Sequence, residues 1–192
     1  MLRLFICPVL SSMQFTPLAI PDVVLVTPRI FGDERGFFME MYHQGRFAEQ
    51  GIDTAFVQDN LSRSRRGVLR GLHYQIQHPQ GKLVTVLAGE VLDVAVDLRR
   101  SSPTFGQWVG VTLDARQRQS LYIPPGFAHG FSVRSETADV CYKCTDLYHP
   151  EHERTLIWND ADVGIEWSLA DAPTLSAKDQ AGRPLSEAEC FD

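Results

Sequence analysis

Lys82-Leu-Val-Thr-Val-Leu-Ala-Gly-Glu-Val-Leu-Asp-Val-Ala-Val-Asp-Leu98 decides the fold class. Two β-rich arms, 82–87 and 91–98, flank Ala88-Gly-Glu90, a pattern that predicts a hairpin. In the second arm Leu92, Val94, Val96 and Leu98 share one face, and Asp93, Ala95 and Asp97 share the other. Period-two alternation of this kind predicts a half-buried strand.

Working outward, residues 68–75 read as another strand, and residues 56–60 as a strand running into a polar loop. Further upstream, Val23-Val-Leu-Val26 predicts a strand ended by Pro28, residues 31–36 a turn, and residues 37–42 a resumed extended run. Residues 43–50 predict a short helix closed by Gly51. Downstream, strands are expected at 107–113, 120–123, 130–133 and 139–145. Only 177–181 and 186–190 look helical. Many short strands between turn-rich segments predict an all-β antiparallel sandwich or barrel with short helices in the N-terminal third and at the C-terminus. No repeat, linker or boundary divides residues 13–192, which read as a single domain. Residues 1–12 read as an N-terminal extension rather than a signal peptide, because their apolar run is short and broken by Pro8. Met13 is an alternative start.

The chain has 192 residues, 44% of them hydrophobic, and a formal net charge of -6. An acidic balance argues against a nucleic-acid surface. No apolar run approaches the roughly 20 residues that span a bilayer. Arg63, Arg65, Arg66 and Arg70 form a local basic cluster, either a solvated face or a focus for an anionic small ligand. Cys7, Cys141, Cys144 and Cys190 are too scattered for a disulfide framework. Cys141 and Cys144 match C-x-x-C, but three positions along a strand place them on opposite faces. The expected compartment is the reducing cytoplasm.

The chemistry gathers in Gly67-Val-Leu-Arg-Gly-Leu-His-Tyr-Gln75 and the following Gln80-Gly-Lys82. His73 shares a face with Gly71 and Gln75, small and polar enough to line a pocket, and a neutral imidazole suits a general base. Lys82 is either a solvated strand end or an inward ammonium that stabilises an enolate oxygen. Arg70 lies three before His73, on the opposite face of a flat strand. Both serve one pocket only if Gly71 marks a bulge, or Arg70 serves a second subunit. Tyr142 is a core aromatic or a general acid. Asp179, in Ser176-Ala-Lys-Asp179, has capping-box character and by itself reads as a helix-start residue. Lys178 beside it reads as solvated. Pro124-Pro125-Gly-Phe-Ala-His129 fits the P-x-G-x-x-H turn of cupin barrels. The H-x-H pair of cupin metal sites is missing, since His73 and His78 stand five apart, which disfavours a bound transition metal there.

Six segments in order carry a resemblance. They are Phe31-Gly-Asp-Glu-Arg-Gly-Phe-Phe38, Phe56-Val-Gln-Asp-Asn60, the Gly67–Gln75 stretch, Ser102-Pro-Thr-Phe-Gly-Gln-Trp-Val-Gly-Val111, Ile123-Pro-Pro-Gly-Phe-Ala-His-Gly-Phe131 and Tyr142-Lys-Cys-Thr-Asp146. Over residues 14–179 the chain resembles the dTDP-4-dehydrorhamnose 3,5-epimerase family. The resemblance implies a cytoplasmic, metal-free, cofactor-free jelly-roll homodimer that exchanges N-terminal strands. The implied reaction inverts C3 and C5 of dTDP-4-dehydro-6-deoxy-D-glucose. By resemblance His73 is the base, Asp179 its orienting carboxylate, Tyr142 the proton donor and Lys82 the group beside the C4 oxygen. Arg35, Glu40, Gln58, Asp59, Asn60, Arg70, His129, Glu153 and Lys178 match substrate-contacting positions, and Tyr148 the aromatic that stacks on thymine. Residues 1–12 depart from the pattern. A mono-epimerase, a keto-isomerase and a non-catalytic sugar-nucleotide-binding jelly roll are the alternatives.

Overall fold

The computed structural model describes residues 12–192, so the extension read at 1–12 lies outside the described residues apart from Ser12. Six strands form one sheet: β1 (Gln14–Pro17), β2 (Val24–Thr27), β5 (Gln58–Arg65), β7 (Lys82–Ala88), β10 (Ser120–Ile123) and β12 (Thr137–Cys144). Their order is β1-β2-β10-β7-β12-β5. A second sheet runs β13-β6-β11-β8-β9, built from β6 (Leu69–Gln75), β8 (Glu90–Asp97), β9 (Trp108–Asp114), β11 (Phe127–Val133) and β13 (Glu153–Thr155). Strands β3 (Ile30–Asp33) and β4 (Gly36–Met39) form a separate hairpin. The sheets face each other as an antiparallel jelly roll, with Val84, Val86, Val91, Ala95, Leu121, Phe131 and Val140 among the side chains between them. Helix α1 (Gln44–Ala48) buries Phe47 beside Tyr42 and Phe15 on the outside of the first sheet. No helix among the described residues is long and apolar enough to cross a membrane.

The stretch 82–98 is not a hairpin. β7 pairs with β10 and β12, whereas β8 pairs with β11 and β9, so Gly89, at φ +78°, turns the chain from one sheet to the other. Nor is β8 half-buried. Leu92, Val94, Val96 and Leu98 pack outward beneath the C-terminal segment, with Leu156, Val163 and Trp167. The other face, carrying Val91, Asp93 and Ala95, is turned to the barrel interior, where Asp93 meets His129. Both faces are covered, so the apolar stripe does not mark the interior side.

Other expectations also shift. The polar stretch after Asn60 continues as strand through Arg65, fully paired with β12. β1 and β13 are strands that the sequence reading lacked, and residues 31–36 belong to the β3–β4 hairpin. Residues 186–190 are turn and irregular chain, not helix. The chain there is drawn extended by Phe191, which exchanges backbone hydrogen bonds with Leu98 and Arg100. The C-terminal helix is only α2 (Ala177–Gln180).

Gly71 resolves the Arg70 difficulty. Phe131 stands opposite Arg70 and His129 opposite His73, so three steps on β6 match two on β11. The extra residue brings Arg70 and His73 to the same cavity and turns Leu69 and Leu72 together to the outer cluster. Gly71 has φ +121°, and a Cβ there would lie 2.5 Å from Gly130 Cα and 2.7 Å from His129 O. Neither neighbour can move without breaking the sheet.

Gly71→Ala is therefore expected to cost at least about 2 kcal/mol, given the strain of such a backbone plus a backbone overlap. Gly32→Ala, whose methyl would meet only Gly36 O at 3.7 Å, is the control and should stay within about 0.5 kcal/mol of wild type. Urea unfolding of both variants checks this; equal midpoints would refute the role given to Gly71.

Candidate active site

A cavity of about 320 Å³ opens between the sheets, lined by β5, β6, β7, β11 and β12 and by the loop and strand after β12. On β5 the polar alternation Gln58, Asn60, Ser62 faces this cavity, while Asp59, Leu61 and Arg63 point out. On β7, Lys82 lies on the inward face with Val84 and Val86 and is nine-tenths buried. On β12, Tyr142 lies on the inward face with Val140 and Cys144.

The centre of the site is a hydrogen bond of 2.6 Å between His73 Nε2 and Asp179 Oδ1. Asp179 is indeed a capping-box residue. Its carboxylate accepts from the Ser176 hydroxyl at 2.7 Å and backbone at 3.3 Å, while Ser176 Oγ accepts from Asp179 N. It also accepts from the backbone N–H of Gly71, the bulge residue, at 3.3 Å. The cap thus aims a buried carboxylate at a histidine 106 positions away. With Nε2 holding its proton toward Asp179, Nδ1 is left as the basic nitrogen.

Burial sets the titration of these groups. It pushes the His73 pKa down; the Asp179 bond pulls it up, and the charges of Lys178 and Lys82 add to the downward side. Burial also opposes ionisation of Asp179, but hydrogen bonds from His73 and Ser176 outweigh it and hold the carboxyl at about 2. Lys82 is pushed down by burial, against the pull of Cys144, Asp93 and Glu153. Its ammonium donates a long bond of 3.4 Å to His73 O. Burial raises the Tyr142 phenol, which keeps its proton. The site therefore gathers an imidazole and an amine whose charged forms burial disfavours, beside a phenol that it keeps protonated.

At the mouth, Glu153 accepts from Tyr148 at 2.8 Å and Lys178 at 2.7 Å. Burial opposes its charge, and these two bonds outweigh that. Lys178 is thus paired at the cavity rather than merely solvated. Tyr148 N donates to Gln58 Oε1, linking the mouth to β5. Arg70 donates to Ser64 Oγ, and the Ser62 Oγ beside it is buried without a partner among the described residues.

The cavity thus gathers Gln58, Asn60, Arg70, His73, Lys82, His129, Tyr142, Tyr148, Glu153 and Lys178, with Asp179 behind His73. Three expected residues stand elsewhere. Asp59 points outward to Lys143, because strand alternation opposes it to Gln58 and Asn60. Arg35 pairs with Asp33 in the exposed β3–β4 hairpin, and Glu40 with Arg46 beyond it. Of the arginine cluster only Arg70 enters; Arg63 is held outside by Asp139. The sequence reading missed Ser62 and Asp93 as site residues, whereas Gln75 lines the pocket as its shared face with His73 predicts. Ser62 was signalled by the polar alternation of β5. Asp93, wholly buried and 2.9 Å from His129 Nε2, had no local signal beyond a charge in an apolar strand. Cys141, Cys144 and Cys190 are free thiols.

A jelly-roll barrel with an inward His–Asp pair, a buried lysine and a protonated tyrosine between its sheets is a protein of the cupin type. Residues 17–187 match the family model described as dTDP-4-dehydrorhamnose 3,5-epimerase. The protein of that name from Pseudomonas aeruginosa is 60% identical over 180 residues, covering 93% of this chain and 99% of its own. That from Salmonella typhimurium is 55% identical over 172 residues, covering 88% and 94%. A crystal structure of dTDP-6-deoxy-D-glucose-3,5-epimerase from Legionella pneumophila, in complex with dTDP-4-keto-L-rhamnose, superposes with a TM-score of 0.91 at 52% identity, covering 93% of this chain and 95% of that one. The chain belongs to the dTDP-4-dehydrorhamnose 3,5-epimerase family, whose members are isomerases.

Asp179→Asn should lower the His73 pKa further, because the Asp179 bond is what opposes burial. Titration of the imidazole Cε1–H signal by NMR checks this, and an unchanged or higher value would contradict it. Stability carries the same signature. The carboxyl titrates at about 2 when folded against an ordinary 3.8, so its contribution is complete above about pH 4 and is lost as the pH falls through about 2. The stability difference between wild type and Asp179→Asn should shrink over that window.

Proposed function

We propose that this chain inverts C3 and C5 of dTDP-4-dehydro-6-deoxy-D-glucose to give dTDP-4-dehydro-L-rhamnose, in the rhamnose branch of nucleotide-sugar synthesis. The observation that carries this reading is the 2.6 Å His73–Asp179 bond in a cavity shared with Lys82 and Tyr142. The C4 carbonyl acidifies the hydrogens on both neighbouring carbons. His73 takes one such proton, and the electron pair moves to the carbonyl oxygen as an enolate. Lys82, already desolvated, offsets that charge where it develops. Tyr142 returns a proton from the opposite face and is reprotonated from solvent. Asp179 stabilises the imidazolium formed on the way. The electron count of the sugar is unchanged, so the reaction requires no redox cofactor.

Tyr148 is proposed to stack on thymine, with Glu153 and Lys178 beside it. Arg70 faces the diphosphate, and the unpartnered Ser62 hydroxyl is a ready donor beside it. Gln58, Asn60 and His129 complete the sugar and nucleotide contacts. The chain is proposed to act as a cytoplasmic homodimer. Phe31, Phe37 and Phe38 are 47%, 55% and 69% exposed on the β3–β4 hairpin, an apolar patch that a lone subunit leaves in water. Exchange of this N-terminal hairpin would carry Arg35 and Glu40 to the partner's cavity, which accounts for their distance from the cavity of their own chain.

Proton NMR of the dTDP-4-keto-6-deoxyglucose reaction in D2O, with a chelator and no nicotinamide, tests the reading. Deuterium should enter at both C3 and C5. Entry at one carbon would assign a mono-epimerase, and binding without exchange would assign a sugar-nucleotide-binding jelly roll.

His73→Asn should lower turnover by about 10² to 10⁴-fold, the usual worth of a positioned base, with the fold retained by circular dichroism. Near wild-type turnover would remove His73 from the mechanism. Tyr142→Phe should reduce net inversion more than deuterium exchange at the first carbon. An equal loss of both would show that Tyr142 is not a dedicated donor.

A further inference from the structure

Three imidazoles converge beside the cavity, and the mechanism uses none of them. His78 comes from the β6–β7 loop, and His149 and His152 from the segment between β12 and β13. The rings of His78 and His149 stack with centroids 4.3 Å apart and 22° between their planes. Asp146 brings Oδ2 to 3.4 Å from His78 Nδ1. One donor atom each from His78, Asp146 and His149 lies within 4.8 Å of the others. His152 stands outside this set, its ring 5.7 Å from that of His78. Glu151 adds a second carboxylate 3.6 Å from His149 Nδ1.

Two imidazoles and one carboxylate suit zinc and its neighbours, whereas magnesium and calcium favour oxygen-only sets. A tetrahedral zinc with bonds near 2.1 Å holds its donors about 3.4 Å apart. The donors must therefore close by up to about 1.4 Å, a rotamer adjustment for His78 and Asp146, whose side chains are 52% and 39% exposed.

The backbones that carry these side chains are already in place. Gln75 Nε2 donates to the His78 carbonyl at 2.8 Å and the Leu147 carbonyl at 3.2 Å. Gln75 Oε1 accepts from His149 N at 2.7 Å. Gln80 Nε2 donates to the Asp146 carbonyl at 2.9 Å. One buried glutamine thus holds the first loop and the second segment together directly behind the three ligands. An ion binding here has little loop ordering to bring about.

We propose that His78, Asp146 and His149 form a binding site for a divalent transition metal of the zinc class, with water as the fourth ligand. It lies outside the barrel interior, away from the cupin ligand position that lacks its H-x-H pair. Its role is structural. A bound ion staples the β6–β7 loop to the segment that carries Tyr148, and so fixes one wall of the cavity mouth.

The test uses full-length protein purified without a histidine tag and stripped by a chelator. Zinc chloride is titrated in competition with a chromophoric chelator, and melting is followed with zinc or magnesium. One zinc per chain should bind at about micromolar Kd or tighter. Melting should rise with zinc but not with magnesium. His78→Asn and His149→Ala should each weaken zinc binding by at least about tenfold, whereas His152→Ala should bind as wild type. Asn tolerates the φ of +55° at position 78, so that variant removes the ligand and keeps the loop. Absence of saturable zinc binding would overturn the proposal, and so would wild-type affinity in both ligand variants.

Discussion

One close approach of backbones organises the site. Gly71 on β6 lies against Gly130 on β11, and no Cβ fits between them. The extra residue accommodated there lets Arg70 and His73 face one cavity. It also frees the Gly71 N–H for Asp179, which places the carboxylate behind the histidine. Without the bulge, alternation would send either the arginine or the histidine into the outer apolar cluster. The same backbone feature therefore sets the placement of Arg70, the placement of His73 and the approach of Asp179 to it.

Several ionisable groups are buried at the site: Lys82, Asp93, His129 and Asp179. Each has a partner or hydrogen bonds that limit the cost: Asp93 with His129, Asp179 with His73 and Ser176, Lys82 with the His73 carbonyl. The cost that remains is useful. Burial lowers the pKa of His73 and Lys82 and raises that of the Tyr142 phenol, so three groups of shifted acidity share one small volume. A solvated surface with the same residues would have ordinary acidities and little catalytic use.

Asp179 shows how a local rule serves a tertiary purpose. A capping-box acid normally satisfies the first turn of its own helix. Here the helix has only four residues, and its position is set by the C-terminal segment that wraps the outside of β6. Leu72 exchanges two backbone bonds with Leu156, and Thr174 bridges Gly67 and Leu69. That wrapping covers Leu92, Val94 and Val96 and at the same time delivers Asp179 to His73. Packing of the tail and assembly of the His73–Asp179 pair are one event.

Much of this was legible in the chain itself. Strand periodicity located most of the β elements, the Gly71 bulge was one of two solutions posed by Arg70 and His73, and the ordered motifs pointed to the family. The polar face of β5 was readable as well. Local sequence could not say that 82–98 crosses between sheets, or which face of β8 lines the barrel. Alternation distinguishes two sides of a strand but does not say which is inside when both are covered. Nor could it pair His73 with Asp179 or His129 with Asp93, or set Asp59 apart from its motif neighbours. Such contacts join residues dozens of positions apart, and only the closing of the sheets determines them.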